Sequence, residues 1–207
     1  MTQALAGFNE HGLFFATDSR ATRFRGEEEP EYFVVNKLFP LTRYSAILSG
    51  GAGVSVPLSQ VLAREISRRR GLEDLEDVFD FAAAFLRQGV VKHQTAHPPR
   101  EGELKRVYFI LGGFSPVLPP PGYRLLLLGS DEGEPLHPMP VGNLVVMPRN
   151  LGMEMRLFKA LAAGSDLPAL VALSREFLEK MAAAKEEVGP PYYFATITPE
   201  DGYQVVE

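Results

Sequence analysis

The opening of the chain restricts its fold more than any other stretch. Ala4-Leu5-Ala6-Gly7-Phe8 and Leu13-Phe14-Phe15-Ala16-Thr17 are two apolar runs joined by Asn9-Glu10-His11-Gly12. So short a connection, closed by glycine, marks a tight turn, and the two runs predict a β-hairpin. A hairpin this apolar is expected to be buried. Chain termini fray unless something ties them down, and burial starting at Thr2 would do so. The second strand delivers Asp18-Ser19-Arg20-Ala21-Thr22 back beside Thr2.

Sheet and helix then alternate in blocks. The acidic stretch Arg25-Gly26-Glu27-Glu28-Glu29-Pro30 reads as a solvated loop. Short strands are predicted at Tyr32–Val35 and Tyr44–Leu48, and Ser49-Gly50-Gly51-Ala52-Gly53 breaks the second and opens a helix. That helix carries Val54, Leu58, Leu62 and Ile66 on one face. Arg68-Arg69-Arg70-Gly71 ends it, with cations at the negative end of the dipole and glycine at the cap. A second helix is predicted near Leu75–Val91, with Leu75, Val78, Phe79, Ala82, Phe85 and Leu86 at helical spacing. Strands follow at Val107–Leu111, Tyr123–Leu128 and Leu144–Met147. Two more helices are expected near Leu151–Ala163, with Leu151, Met155, Phe158 and Leu161 inward, and near Pro168–Glu187. The chain closes on Tyr192–Ile197 and Tyr203–Val206.

The order is strands, two helices, strands, two helices, strands. Such blocks predict an antiparallel α+β arrangement rather than alternating βαβ units. Two packed sheets between two helix layers would use every apolar face, and residues 1–207 are expected to form a single domain.

Composition removes several functions. The chain has no cysteine, so disulfides, thiolate metal sites and cysteine nucleophiles are excluded. Net charge is −5 with the signs mixed, which gives neither nucleic acid nor an anionic membrane a basic face to bind. No apolar run approaches the ~20 residues of a membrane span, and the N-terminus lacks the regions of a signal peptide, so a cytoplasmic protein is expected. Gly50-Gly51-Ala52-Gly53 lacks the lysine of a triphosphate loop, and no Gly-x-Ser-x-Gly elbow occurs. His93 and His97 could share a helix face, but the glutamate of a zinc-protease motif is missing, so no metal and no cofactor is expected. His11 and His137 fall in predicted turns.

Thr2 remains. A threonine hydroxyl needs a base, and an N-terminal threonine carries one in its α-amine, whose reference pKa is about 7.7–8.0. Removal of Met1, which a small second residue permits, would create that amine. A lysine ammonium nearby would disfavour the protonated amine. Lys37 stands among Val34, Val35, Leu38 and Phe39, where a lysine is rarely left without a partner, and Asp18 is the candidate. Two plainer arrangements compete: Asp18 and Arg20 as an ion pair fixing the hairpin, or Lys37 merely bracing Asp18. A glycine-rich strand end such as Gly50-Gly51 can expose a backbone N–H to an oxyanion, or simply serve a tight turn.

Thr2, the Gly12–Thr22 segment, Lys37-Leu38-Phe39 and Ser49-Gly50-Gly51 together resemble the proteasome β-subunit-like family of N-terminal-nucleophile hydrolases, which includes simpler bacterial ring peptidases. The likeness covers roughly the first 65 residues well and returns at Ala195–Tyr203. It implies a four-layer αββα sandwich, with Thr2 as nucleophile, Asp18 and Lys37 as the charge pair beside it, and the Gly51 N–H as oxyanion donor. It implies a threonine-type peptidase acting on peptide or protein substrates, a homo-oligomeric ring, and room for an unfoldase partner. The family's serine-glycine turn is replaced here by Met147–Gly152, and Lys185–Gly189 stands where a later Asp and Ser-Gly pair is expected. The alternative is a non-catalytic subunit of that type, serving as scaffold or binding partner.

Overall fold

A computed structural model describes residues 2–23, 30–72, 74–98, 106–130 and 134–207. The predicted opening hairpin is β1 (Ala4–Asn9) and β2 (Gly12–Thr17), paired from Ala4 opposite Thr17 to Asn9 opposite Gly12. It lies in the middle of a five-stranded antiparallel sheet. β10 (Leu144–Met147) pairs with β1, while β11 (Tyr193–Thr198) pairs with β2 and carries β12 (Gly202–Val206) outside it. A second five-stranded sheet runs in the order β5 (Leu38–Thr42), β6 (Ser45–Gly51), β7 (Val107–Phe114), β8 (Tyr123–Ser130) and β9 (His137–Met139). The acidic stretch at 25–30 lies outside the described residues except for Pro30.

Strand alternation explains the unbroken apolar runs. Ala4, Ala6, Leu13 and Phe15 face the second sheet and meet Leu48, Ile110 and Leu125 there. Leu5, Phe14 and Ala16 face the other way, onto Leu157, Leu161, Leu170 and Leu178 of α3 (Leu151–Ala162) and α4 (Leu167–Ala184). On the second sheet Ile47, Phe109 and Leu111 meet Leu62, Val78, Phe79 and Leu86 of α1 (Ser55–Arg68) and α2 (Leu75–Ala96). Strands buried on both faces have no reason to alternate with polar residues.

Three expectations are corrected. The four-layer αββα sandwich built on two sheets does not describe this chain, which forms three sheets of five, two and five strands. The third is a ribbon of β3 (Arg20–Arg23) and β4 (Glu31–Val34), paired only with each other. Half of its eight residues are exposed and three are charged, and Phe33 and Val34 face solvent at 38% and 57% exposure. The inward face of α3 is also different. Met153, Leu157 and Leu161 are buried, whereas Leu151, Met155 and Phe158 are exposed at 69%, 51% and 58%. Two apolar rows at helical spacing compete on this helix; the expected set took Leu161 from the buried row and its other three members from the exposed one. His137 stands in β9 rather than a turn. No helix among the described residues is long and apolar enough to cross a membrane.

The burial of two tyrosines gives the molecule an alkaline limit. Burial, reinforced by the Asp18 charge, pushes Tyr108 well above the ordinary phenol range, and burial pushes Tyr203 up to about 12. A pKa raised by folding contributes stability that is complete below the unfolded value of about 10 and is lost as pH rises through the folded value. Phenolate absorbance during an alkaline titration is therefore expected to show part of the seven tyrosines ionising only as the fold is lost. Reversible ionisation of all seven near pH 10 in folded protein would contradict it.

Candidate active site

Asp18 follows β2 and is completely buried, and Lys37 enters from the segment before β5 at 2% exposure. The Lys37 ammonium donates to Asp18 Oδ1 at 3.0 Å and to the Arg20 carbonyl at 2.7 Å. Two backbone N–H groups complete the carboxylate's shell: Gln3 donates to Oδ1 at 2.9 Å and Arg20 donates to Oδ2 at 3.0 Å. Burial pushes the Asp18 carboxyl up, opposed by the Lys37 charge and these donors, and burial likewise pushes the Lys37 ammonium down. The Asp18 charge and its hydrogen bond oppose that fall. The partner of Asp18 is therefore Lys37 and not the Arg20 guanidinium, which donates instead to the Glu186 carbonyl at 2.5 Å and lies over the Tyr32 ring.

Thr2 is beside this pair and is held through its peptide link to Gln3. The Gln3 carbonyl accepts from the Asp18 N–H at 3.3 Å and from the Thr17 hydroxyl at 3.0 Å. The Thr2 carbonyl accepts from the Tyr108 hydroxyl at 3.1 Å. Gly51 joins the group by strand register. It ends β6 opposite Val107, one step beyond Gly50, which is opposite Tyr108. The structure thus bonds Asp18 to Lys37 and to the N–H of Gln3, the residue next to Thr2, and places Gly51 at the strand end one step beyond Gly50. Met1 lies outside the described residues.

Gly51 has a backbone reason to be glycine. Its φ is +93°, and a Cβ there would stand 2.1 Å from the Arg106 carbonyl oxygen. Gly51→Ala combines left-handed strain with a clash against backbone, so it is expected to lower stability by about 2 kcal/mol or more. Thermal unfolding reads this directly, and an unchanged Tm would contradict it.

Two contributors were not legible beforehand. Tyr108 is the hydroxyl-bearing side chain of an otherwise apolar strand run, and only the pairing of β6 with β7 reveals where it points. The Lys185–Gly189 segment supports the cluster with backbone: the Gly189 carbonyl accepts from the Ser19 N–H at 3.2 Å. A cavity of about 960 Å³ opens between β8, β9, β10 and the start of α3; Tyr108 is part of its wall, whereas Thr2, Asp18, Lys37 and Gly51 are not. His93 and His97 stack at the end of α2 with ring centroids 5.0 Å apart. No group of three or more metal-binding side chains forms among the described residues.

The chain is similar in fold to the Anbu complex. The solved helical assembly of that complex from Pseudomonas aeruginosa matches 99% of this chain and 86% of its own, with a TM-score of 0.68 and 17% identity. No family model matches, and no curated protein matches. Membership of the proteasome β-subunit-like family is therefore corrected. What stands is the likeness in fold to the Anbu complex.

Proposed function

We propose that the chain is a threonine-type amide hydrolase, a peptidase whose nucleophile is Thr2 after removal of Met1. The observation that carries this reading is the buried Asp18–Lys37 pair at 3.0 Å, bonded to the backbone of the residue next to Thr2. A completely buried ion pair is weak support for stability, because desolvation opposes its attraction. Beside a nucleophile it has a use. The Lys37 ammonium keeps the Thr2 α-amine unprotonated at neutral pH.

The amine takes the proton from Thr2 Oγ as the oxygen attacks the carbonyl carbon of a peptide or protein amide. The Gly51 N–H stabilises the tetrahedral oxyanion. The amine then gives its proton to the leaving nitrogen, which leaves an ester on Thr2. Water, activated by the same amine, hydrolyses that ester and restores the hydroxyl. The chemistry needs no metal or cofactor. The solved neighbour is a helical assembly, and self-association of this chain is part of the proposal.

One observation favours the scaffold reading instead: Thr2 is itself only 8% exposed. Native mass spectrometry of protein from its own host separates the two and reads the assembly as well. The catalytic reading expects subunits beginning at Thr2, lighter by one methionine, in a homo-oligomer. Subunits that all keep Met1 would remove the base and leave the scaffold. A monomer at micromolar concentration would contradict the self-association.

A further inference from the structure

We propose that Tyr108 is a positioning residue for the Thr2 nucleophile, holding by its hydroxyl the peptide plane on which the threonine hangs. The proposal rests on the catalytic reading of Thr2.

Thr2 precedes the first residue of β1, Ala4, so the ladder that fixes the hairpin does not reach it. Once Met1 is gone, its orientation depends on a single peptide unit, the one joining it to Gln3. Both polar groups of that unit are held. The Gln3 N–H donates to Asp18 Oδ1 at 2.9 Å, and the Thr2 carbonyl accepts from Tyr108 at 3.1 Å. The first bond comes from the turn after β2 in one large sheet, and the second comes from β7 in the other. With the plane fixed from two sides, the Thr2 Cα retains rotation only about its own bond to the carbonyl carbon. The amine is thereby confined to a circle about that bond, at a fixed distance from the held peptide plane.

The neighbourhood is built around this tyrosine. Its ring belongs to the apolar cluster between the sheets, and its hydroxyl, buried there, needs a partner, which the Thr2 carbonyl supplies. Gly50 is directly opposite it in the β6–β7 register. A Cβ on Gly50 would stand 2.4 Å from the Tyr108 hydroxyl and from ring carbon Cζ. A side chain at position 50 would therefore expel the ring from the place where it reaches Thr2. Tyr108 moves no proton in the reaction. It donates to a carbonyl throughout, and the same ring forms part of the cavity wall.

Tyr108→Phe keeps the ring and removes only the hydroxyl. Loosening a reacting group by a fraction of an ångström to an ångström slows chemistry by about 10- to 100-fold. In the Met1-free assembled protein, an electrophile that traps N-terminal threonine is expected to label Tyr108→Phe to the wild-type stoichiometry, but at least about tenfold more slowly. For a small peptide amide, kcat should fall by a similar factor and KM stay within about twofold. Partial unfolding would instead reduce the labelled fraction, and that result would make Tyr108 structural and overturn the proposal. Labelling and turnover at wild-type rates would also overturn it, while leaving Thr2 as nucleophile. Wild-type protein that takes no label would overturn both.

Discussion

Thr2→Ala is expected to lower turnover of small peptide amides to background, a loss on the order of 10⁴-fold or more. The nucleophilic oxygen and the base belong to one residue, so alanine removes the first and leaves the second with nothing to activate. The effect should be confined to chemistry. The bonds that seat residue 2 and its neighbour are made by backbone groups, the Thr2 carbonyl to Tyr108 and the Gln3 N–H to Asp18, and alanine keeps both. Thr2→Ala should therefore melt within a few degrees of wild type. Thr2→Ser keeps a hydroxyl on the same backbone and should retain part of the activity. Comparable turnover by wild type and Thr2→Ala would end the catalytic reading.

Asp18→Ala has the second large effect, and it acts on folding as well as rate. The carboxylate accepts from Lys37, Gln3 and Arg20 in a site without solvent access. Alanine leaves the two backbone N–H groups without that acceptor, and leaves a lysine ammonium at 2% exposure without its counter-charge and with only the Arg20 carbonyl to accept from it. Removing one partner of a buried pair costs about 3–5 kcal/mol. Denaturant unfolding should show a loss of this size, together with activity at background. Lys37→Met should be milder for stability, because Asp18 keeps two backbone N–H donors, yet nearly as damaging to activity, since the group acts as a unit. A loss below about 1 kcal/mol for Asp18→Ala would mean that the pair is not buried in the folded protein.

Much of this architecture was readable from local pattern. The apolar runs of β1 and β2 and the turn between them are written in consecutive residues, and so are the core faces of α1, α2 and α4. The misses were set by contacts distant in sequence. β5 contains Pro40 and a register shift before Thr42, and β9 contains Pro138, so neither presents a regular strand pattern. β3 is a four-residue strand with an arginine at each end, whereas β4 overlaps the expected Tyr32–Val35 strand. At α3 the sequence offers two apolar rows, and only the sheet decides between them. The candidate cluster was legible for a different reason. An aspartate closing an apolar strand and a lysine within an apolar segment each demand a partner, and each satisfies the other. Tyr108 lacked any such local sign, because its meaning depends on Gly50 across the ladder and Thr2 in the other sheet.

The central claim is that Thr2, freed of Met1, is a nucleophile. Incubating the processed, assembled protein with an electrophile that traps N-terminal threonine, then mapping the adduct by peptide mass spectrometry, tests it most directly. The adduct is expected on Thr2 at one per subunit, absent from Thr2→Ala and strongly slowed in Lys37→Met. A folded, assembled, Met1-free wild type that takes no adduct at Thr2 would contradict the account.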